Sequence, residues 1–109
     1  MIIEVLHIDE CPSWAKAVVR TREALDQLGL GDVPVTPRLL HTPEEAAATA
    51  FAGSPTITVA GVDLFPTDGR TADLACRVYV TEQGLAGTPT AYQLVRAIGA
   101  QIELTRPSR

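Results

Sequence analysis

Two side chains in this sequence suit covalent chemistry at neutral pH: the thiols of Cys11 and Cys76. A cysteine attacks a disulfide, a sulfenic acid or a thiophilic metal as its thiolate, so its surroundings decide its use. Cys11 stands in Glu10-Cys11-Pro12-Ser13-Trp14, between an apolar run and an amphipathic one. A thiol at a helix start faces unpaired backbone N–H groups and the positive end of the helix dipole, which favour the anion. Asp9 and Glu10 place two carboxylates just upstream and oppose it. Read without chemistry, Cys11 is a small buried apolar side chain. Cys76 lies much further along, with Arg70 and Arg77 close in sequence. If the connection that carries it folds back over the helix start, Cys76 approaches Cys11, and a bridge then requires Cα atoms within about 7 Å. Otherwise it is a buried cysteine on Ala75-Cys76-Arg77-Val78-Tyr79-Val80, whose partial alternation suits a strand or a turn of helix equally.

The elements that must position these thiols follow from periodicity and punctuation. Ile2 to Ile8 is a short apolar run with hydrophobics on both parities, the mark of a strand covered on both faces. Pro12 at a first helical position, then Trp14, Val18, Leu25 and Leu28 on one stripe, predicts a helix over 12–28 that Gly29 and Gly31 stop. Val33 to Leu40 is extended, and Pro34 and Pro37 confine it to a sheet edge. Thr42-Pro43-Glu44-Glu45 starts a second, Ala-rich helix that ends near Phe51-Ala52-Gly53. Thr56–Val59 and Val62–Phe65 are two strands joined at Ala60-Gly61. From Pro66 to Thr88 no clean period holds. Thr88-Pro89 opens a closing helix lined by Ala91, Leu94, Val95, Ile98 and Ile102, with Gly99 its weak point and a tail over 106–109 that frays. The order is β-α-β-α-β-β-α, an α/β domain with a mixed four-stranded sheet and a long connection before the last helix.

Composition narrows the function. A chain of 109 residues holds one domain, and 46% apolar with 20% charged residues is globular. Nine basic side chains, eight of them Arg and scattered singly, against thirteen acidic ones give a net charge of −4, which argues against nucleic acid as partner. The longest uncharged stretch, Ala46 to Val62, is interrupted by glycine and proline and falls short of the roughly 20 apolar residues of a membrane span. Met1-Ile2-Ile3-Glu4 lacks the basic start of a secretory signal, so the expected compartment is the cytosol, where a cysteine pair is seldom a permanent staple.

A strand, then Cys11-Pro12-Ser13-Trp14 opening a helix, then Ser54-Pro55-Thr56 opening the third strand, resembles the thioredoxin-like superfamily. Glu10-Cys11-Pro12, Gly53-Ser54-Pro55-Thr56, and Cys76-Arg77-Val78-Tyr79 followed by Thr81-Glu82-Gln83-Gly84-Leu85 resemble small actinobacterial-type members, some labelled alkylmercury-lyase-like. The resemblance implies the minimal thioredoxin-like fold, Cys11 as the nucleophile, a cis bond at Ser54-Pro55 and the Ser54 backbone offered to a substrate beside the thiol. Trp14 stands where a dithiol family member has its resolving cysteine, so Cys-x-x-Cys exchange is excluded. The remaining options are a single thiol resolved from outside, or Cys76 as a distant resolving partner.

The sequence therefore predicts a thioredoxin-fold thiol protein without cofactor or resident metal. Its partner is a thiol, a disulfide or a small soft electrophile; Cys11 and Cys76 are the reacting pair, and Ser54, Pro55 and Trp14 line the site. The alternatives are a non-catalytic binding module, with Trp14 and the long connection forming a homodimer or partner contact, and a soft-metal or organomercurial handler. For the latter, His7 and His41 with the cysteines make a conceivable Cys₂His set, although no close ligand spacing supports it. Asp63, Asp68 and Asp73 read as solvated turn residues, and nothing singles out Tyr79 or Tyr92.

Overall fold

The computed structural model describes residues 1–67 and 74–105, so Asp68, Arg70, Asp73 and the 106–109 tail lie outside the described residues. The elements are β1 (Ile3–His7), α1 (Trp14–Gln27), β2 (Val35–Leu39), α2 (Pro43–Ala47), β3 (Thr56–Val59), β4 (Val62–Asp63), β5 (Tyr79–Thr81), β6 (Gly84–Ala86) and α3 (Ala91–Thr105). Four strands form a mixed sheet in the order β2-β1-β3-β4, with β1 parallel to β2 and antiparallel to β3, and β3 antiparallel to β4. The proline-bearing β2 lies at an edge, where its missing donors leave no ladder bond unmade.

Register assigns the two faces. Ile3 pairs with Val35 and Val59, and Val5 with Ile57, so these side chains share one face. They pack with Ala17, Ala24 and Leu25 of α1 and with Leu94 and Ile98 of α3. The small residues of α1 approach closest: Ala17, Thr21, Ala24 and Leu25 are fully buried, whereas Trp14, Val18 and Leu28 pack at the margin. Thr21 lies in the apolar layer because its hydroxyl donates to the Ala17 carbonyl at 2.7 Å. The opposite face carries Leu6, Ile8 and Leu40, covered by Ala46 of α2 and by Phe51.

Several boundaries differ from the sequence expectation, each for a local reason. The first α1 bond runs from Ala17 N–H to the Ser13 carbonyl, so Ser13 is the N-cap and Pro12 belongs to the preceding turn. Thr42 caps α2 as expected, its hydroxyl accepting from Glu45 N–H at 3.1 Å. The Glu45 carboxylate bonds back to His41 N–H. This helix ends at Ala47, well before Phe51, because the Thr49 hydroxyl bonds the Ala46 carbonyl and accepts from Phe51 N–H, turning Phe51 into the core. β4 stops at Asp63, whose carboxylate accepts Phe65 N–H at 2.8 Å. The connection expected to lack regular structure contains the β5–β6 hairpin, with Tyr79 opposite Ala86 and Thr81 opposite Gly84. The α3 cap is Thr90, not Thr88: the Thr90 hydroxyl accepts from Gln93 N–H, and Gln93 Oε1 accepts from Thr90 N–H.

Gly99 sits inside α3, and a Cβ built there would meet nothing within 4 Å. Gly99→Ala is therefore expected to stabilise the protein by about 1 kcal/mol, through lost backbone freedom in the unfolded chain. Chemical denaturation of the two proteins side by side checks this.

Candidate functional site

The chain leaves β1 at His7 and turns through Ile8, Asp9 and Glu10 to Cys11, whose N–H points to the Ile8 carbonyl at 3.5 Å. This turn buries the Cys11 side chain among Leu6, Ile8, Leu40, Ala46 and Phe51, with Leu74 packed alongside. Cys11 is only 2% exposed. Of the two sequence readings of Cys11, a thiol at a helix start and a small buried apolar side chain, the burial is what the fold shows: the side chain lies in the apolar layer on the α2 side of the sheet. Cys76 is exposed and forms a disulfide with Cys11, with the Cα atoms 5.8 Å apart. Cys76 thus does approach Cys11, just ahead of α1.

Ser54 holds Cys76 in place. Its N–H donates to the Ala75 carbonyl at 2.8 Å, and its own carbonyl accepts from Arg77 N–H at 2.9 Å, so residues 75–77 run parallel to it as a one-residue bridge. The Ser54 hydroxyl accepts from Ile8 N–H at 3.1 Å, tying the same residue to the end of β1. The Ser54–Pro55 peptide is cis. At Gly53, φ is +107°, and a Cβ would stand 2.7 Å from Cβ of Arg77, so only glycine admits the strand this closely.

The residues beyond Cys76 anchor the segment independently of the sulfurs. The buried Arg77 guanidinium pairs with Asp63 at 3.0 Å, reaches the Thr56 hydroxyl at 3.5 Å, donates to the Phe65 carbonyl, and lies over the Tyr79 ring at 4.5 Å. The Tyr79 hydroxyl donates to the Pro55 carbonyl at 2.5 Å. Burial holds this phenol neutral far above its ordinary range, opposed by Arg77 and assisted by Asp63. Sequence reasoning gave neither residue a role, because a buried arginine and tyrosine carry no signal until their partners, which lie up to 24 positions away, are known.

Trp14 is half-buried and stacks on His7, with centroids 4.2 Å apart and planes 14° from parallel. His7 is buried, its Nδ1 has no hydrogen-bond partner, and desolvation lowers its pKa against the raising effects of the Ile8 backbone and Asp9. The folded state thus disfavours the imidazolium. The unfolded state binds the proton more readily, so stability from this group is full above about 6.5, the ordinary imidazole value, and falls as the pH drops below it. Replacing His7 with Phe is expected to flatten the stability profile across that range, as read by denaturant titrations at several pH values.

A cleft of about 110 Å³ borders the Cys11 cluster, lined by Ile8, Asp9, Glu10, Leu40, His41 and Leu74. A larger cavity of about 430 Å³ involves Glu4, Arg38, Thr58 and Asp63 on the same sheet face, with neither cysteine in its lining. Among the described residues, no three histidine, cysteine or acidic side chains converge as a metal would require, and His7, His41 and the cysteines do not form the Cys₂His set. No helix among the described residues is long and apolar enough to cross a membrane. No family model, curated protein or solved structure matches the chain.

Proposed function

We propose that this is a two-cysteine thiol–disulfide exchange protein of thioredoxin-like architecture, in which Cys76 is the outer, receiving sulfur and Cys11 the inner, closing one. The observation that carries this reading is the asymmetry of the disulfide: Cys76 is exposed while Cys11 is buried. The sheet order β2-β1-β3-β4 supports the architecture. An incoming thiolate attacks Sγ of Cys76, forming a mixed disulfide there, and the Cys11–Cys76 bond breaks with the electron pair leaving on Cys11. A second thiol attacks the mixed disulfide, releasing the oxidised small product and the Cys76 thiol. In reverse, Cys76 opens an external disulfide and Cys11 closes the pair. These roles exchange those expected from sequence, where Cys11 attacked first.

Thiol-dependent reduction of the folded protein tests the proposal. The rate is expected to rise in proportion to thiol concentration well below the unfolding transition. A rate that ignores thiol concentration and equals the rate of global unfolding would identify a structural staple instead.

A second reading has an observation of its own. Val78, Val80 and Leu85 are 65%, 77% and 75% exposed on or beside the β5–β6 hairpin, an apolar surface suited to a non-catalytic contact with a second copy. Sedimentation equilibrium decides it: a dimer lost in a Val80→Lys variant favours this reading, and a monomer at all concentrations removes it.

A further inference from the structure

Apart from the cysteines and independently of their chemistry, we propose that the cavity of about 430 Å³ on the α2 side of the sheet binds a free α-amino acid with an aliphatic side chain. Register builds its floor. Glu4 pairs with Thr58 across β1 and β3, and Thr58 with Asp63 across β3 and β4, so these side chains form one row on the face that Leu6 also occupies. Leu6 in turn pairs with Arg38 of β2, which sets that guanidinium beside the row. The cavity opens there because α2 ends at Ala47 and Phe51 turns toward Leu40 and Cys11. The walls are Ala48, Ala50, Ala52 and Pro66, side chains too small to fill the space.

The charges in the lining select the ligand. Asp63 is already satisfied, one oxygen pairing with Arg77 and the other accepting Phe65 N–H. Glu4 and Arg38 remain, 25% and 49% exposed and 3.9 Å apart, and neither side chain makes a hydrogen bond among the described residues. A partly solvated pair at that separation holds weakly, so a ligand parts it at little cost. Beside Glu4, the hydroxyl of Thr58 has no hydrogen-bond partner, although the residue is only 1% exposed. Buried polar groups are seldom left so. An α-amino acid supplies what both need. Its carboxylate takes two parallel N–H bonds from Arg38, and its ammonium faces Glu4 and donates to the Thr58 hydroxyl. The side chain then meets Leu6 and the alanine wall. A ligand of one charge fits worse, because an amine leaves Arg38 unpaired and a carboxylate alone brings like charge to Glu4. The volume lies within the roughly 300–1,000 Å³ of small-molecule sites.

Titration of the oxidised full chain with L-leucine, L-leucinamide, N-acetyl-L-leucine and glycine, followed by amide NMR shifts, tests the site. L-Leucine is expected to move the Glu4, Arg38 and Thr58 amides saturably. The amide lacks the carboxylate, the acetyl compound lacks the ammonium and glycine buries no side chain, so each should bind about tenfold more weakly. Arg38→Gln is expected to weaken L-leucine about tenfold and Thr58→Val about fivefold. Because the Thr58 hydroxyl has no partner within the chain, Thr58→Val should unfold at the same denaturant concentration or higher, which separates lost affinity from lost folding. No saturation by about 50 mM L-leucine, equal binding of the four probes, or shifts confined to residues away from the row overturns the proposal. Unchanged affinity in Arg38→Gln does the same. A markedly less stable Thr58→Val protein would show the hydroxyl already bonded within the chain and also overturn it.

Discussion

Cys76→Ser is expected to lower the free energy of unfolding by about 4 kcal/mol, the chain-entropy value for a bridge between residues 65 positions apart. Against a whole-domain stability of about 5–15 kcal/mol this is a large fraction, so the variant should unfold at markedly lower denaturant. Wild type under reducing conditions should follow the same curve, since Cys76 is exposed and its hydroxyl analogue needs no buried partner. Cys11→Ser should fall further, because it places a hydroxyl among Leu6, Ile8, Leu40 and Phe51. A Cys76→Ser loss under about 1 kcal/mol would mean that the Arg77 and Tyr79 anchors hold the segment unaided and that the bridge barely constrains the unfolded chain.

Arg77→Met is expected to destabilise by about 3–5 kcal/mol, the range for removing one member of a buried ion pair. The side chains of Arg77 and Asp63 are 6% and 10% exposed, so the methionine fills space but leaves Asp63 charged with almost no water to solvate it. The Phe65 carbonyl and Thr56 hydroxyl also lose a donor. Adding Asp63→Asn removes that charge while keeping an oxygen for Phe65 N–H, so the double variant should recover part of the loss. Additive effects of the two substitutions would contradict the pairing. Arg77→Met should also slow disulfide re-formation, because the guanidinium positions the strand that presents Cys76.

What the sequence disclosed was whatever depends on a few neighbouring residues. The edge position of β2 follows from Pro34 and Pro37, the α2 start from Thr42-Pro43, and the β3–β4 turn from Ala60-Gly61, where φ is +52° and +81°. The early end of α2 was hidden because one hydroxyl, that of Thr49, outcompetes the helix that an Ala-rich run otherwise favours. The β5–β6 hairpin was hidden because its strands have three residues each and its loop, Glu82-Gln83, lacks a glycine or asparagine signature. At the site, the chemistry of the thiols was legible and their surroundings were not. Glu10-Cys11-Pro12 suggested a thiol at a helix start and left its burial open, because the coverage of Cys11 comes from Leu40, Ala46, Phe51 and Leu74, residues at least 29 positions distant in the chain. The closeness of Cys76 to Ser54 likewise rests on Gly53 and Arg77, a contact that no local pattern announces.

The central claim is that the exposed sulfur receives the visitor while the chain remains folded, and the most direct measurement is where the first adduct forms. Oxidised protein is mixed with a small isotopically marked thiol in native buffer, quenched in acid within the first turnover and cleaved for mass mapping. The account expects the label on the peptide carrying Cys76, with Cys11 recovered as a free thiol. Label on Cys11, or no adduct until the protein is unfolded, would contradict it.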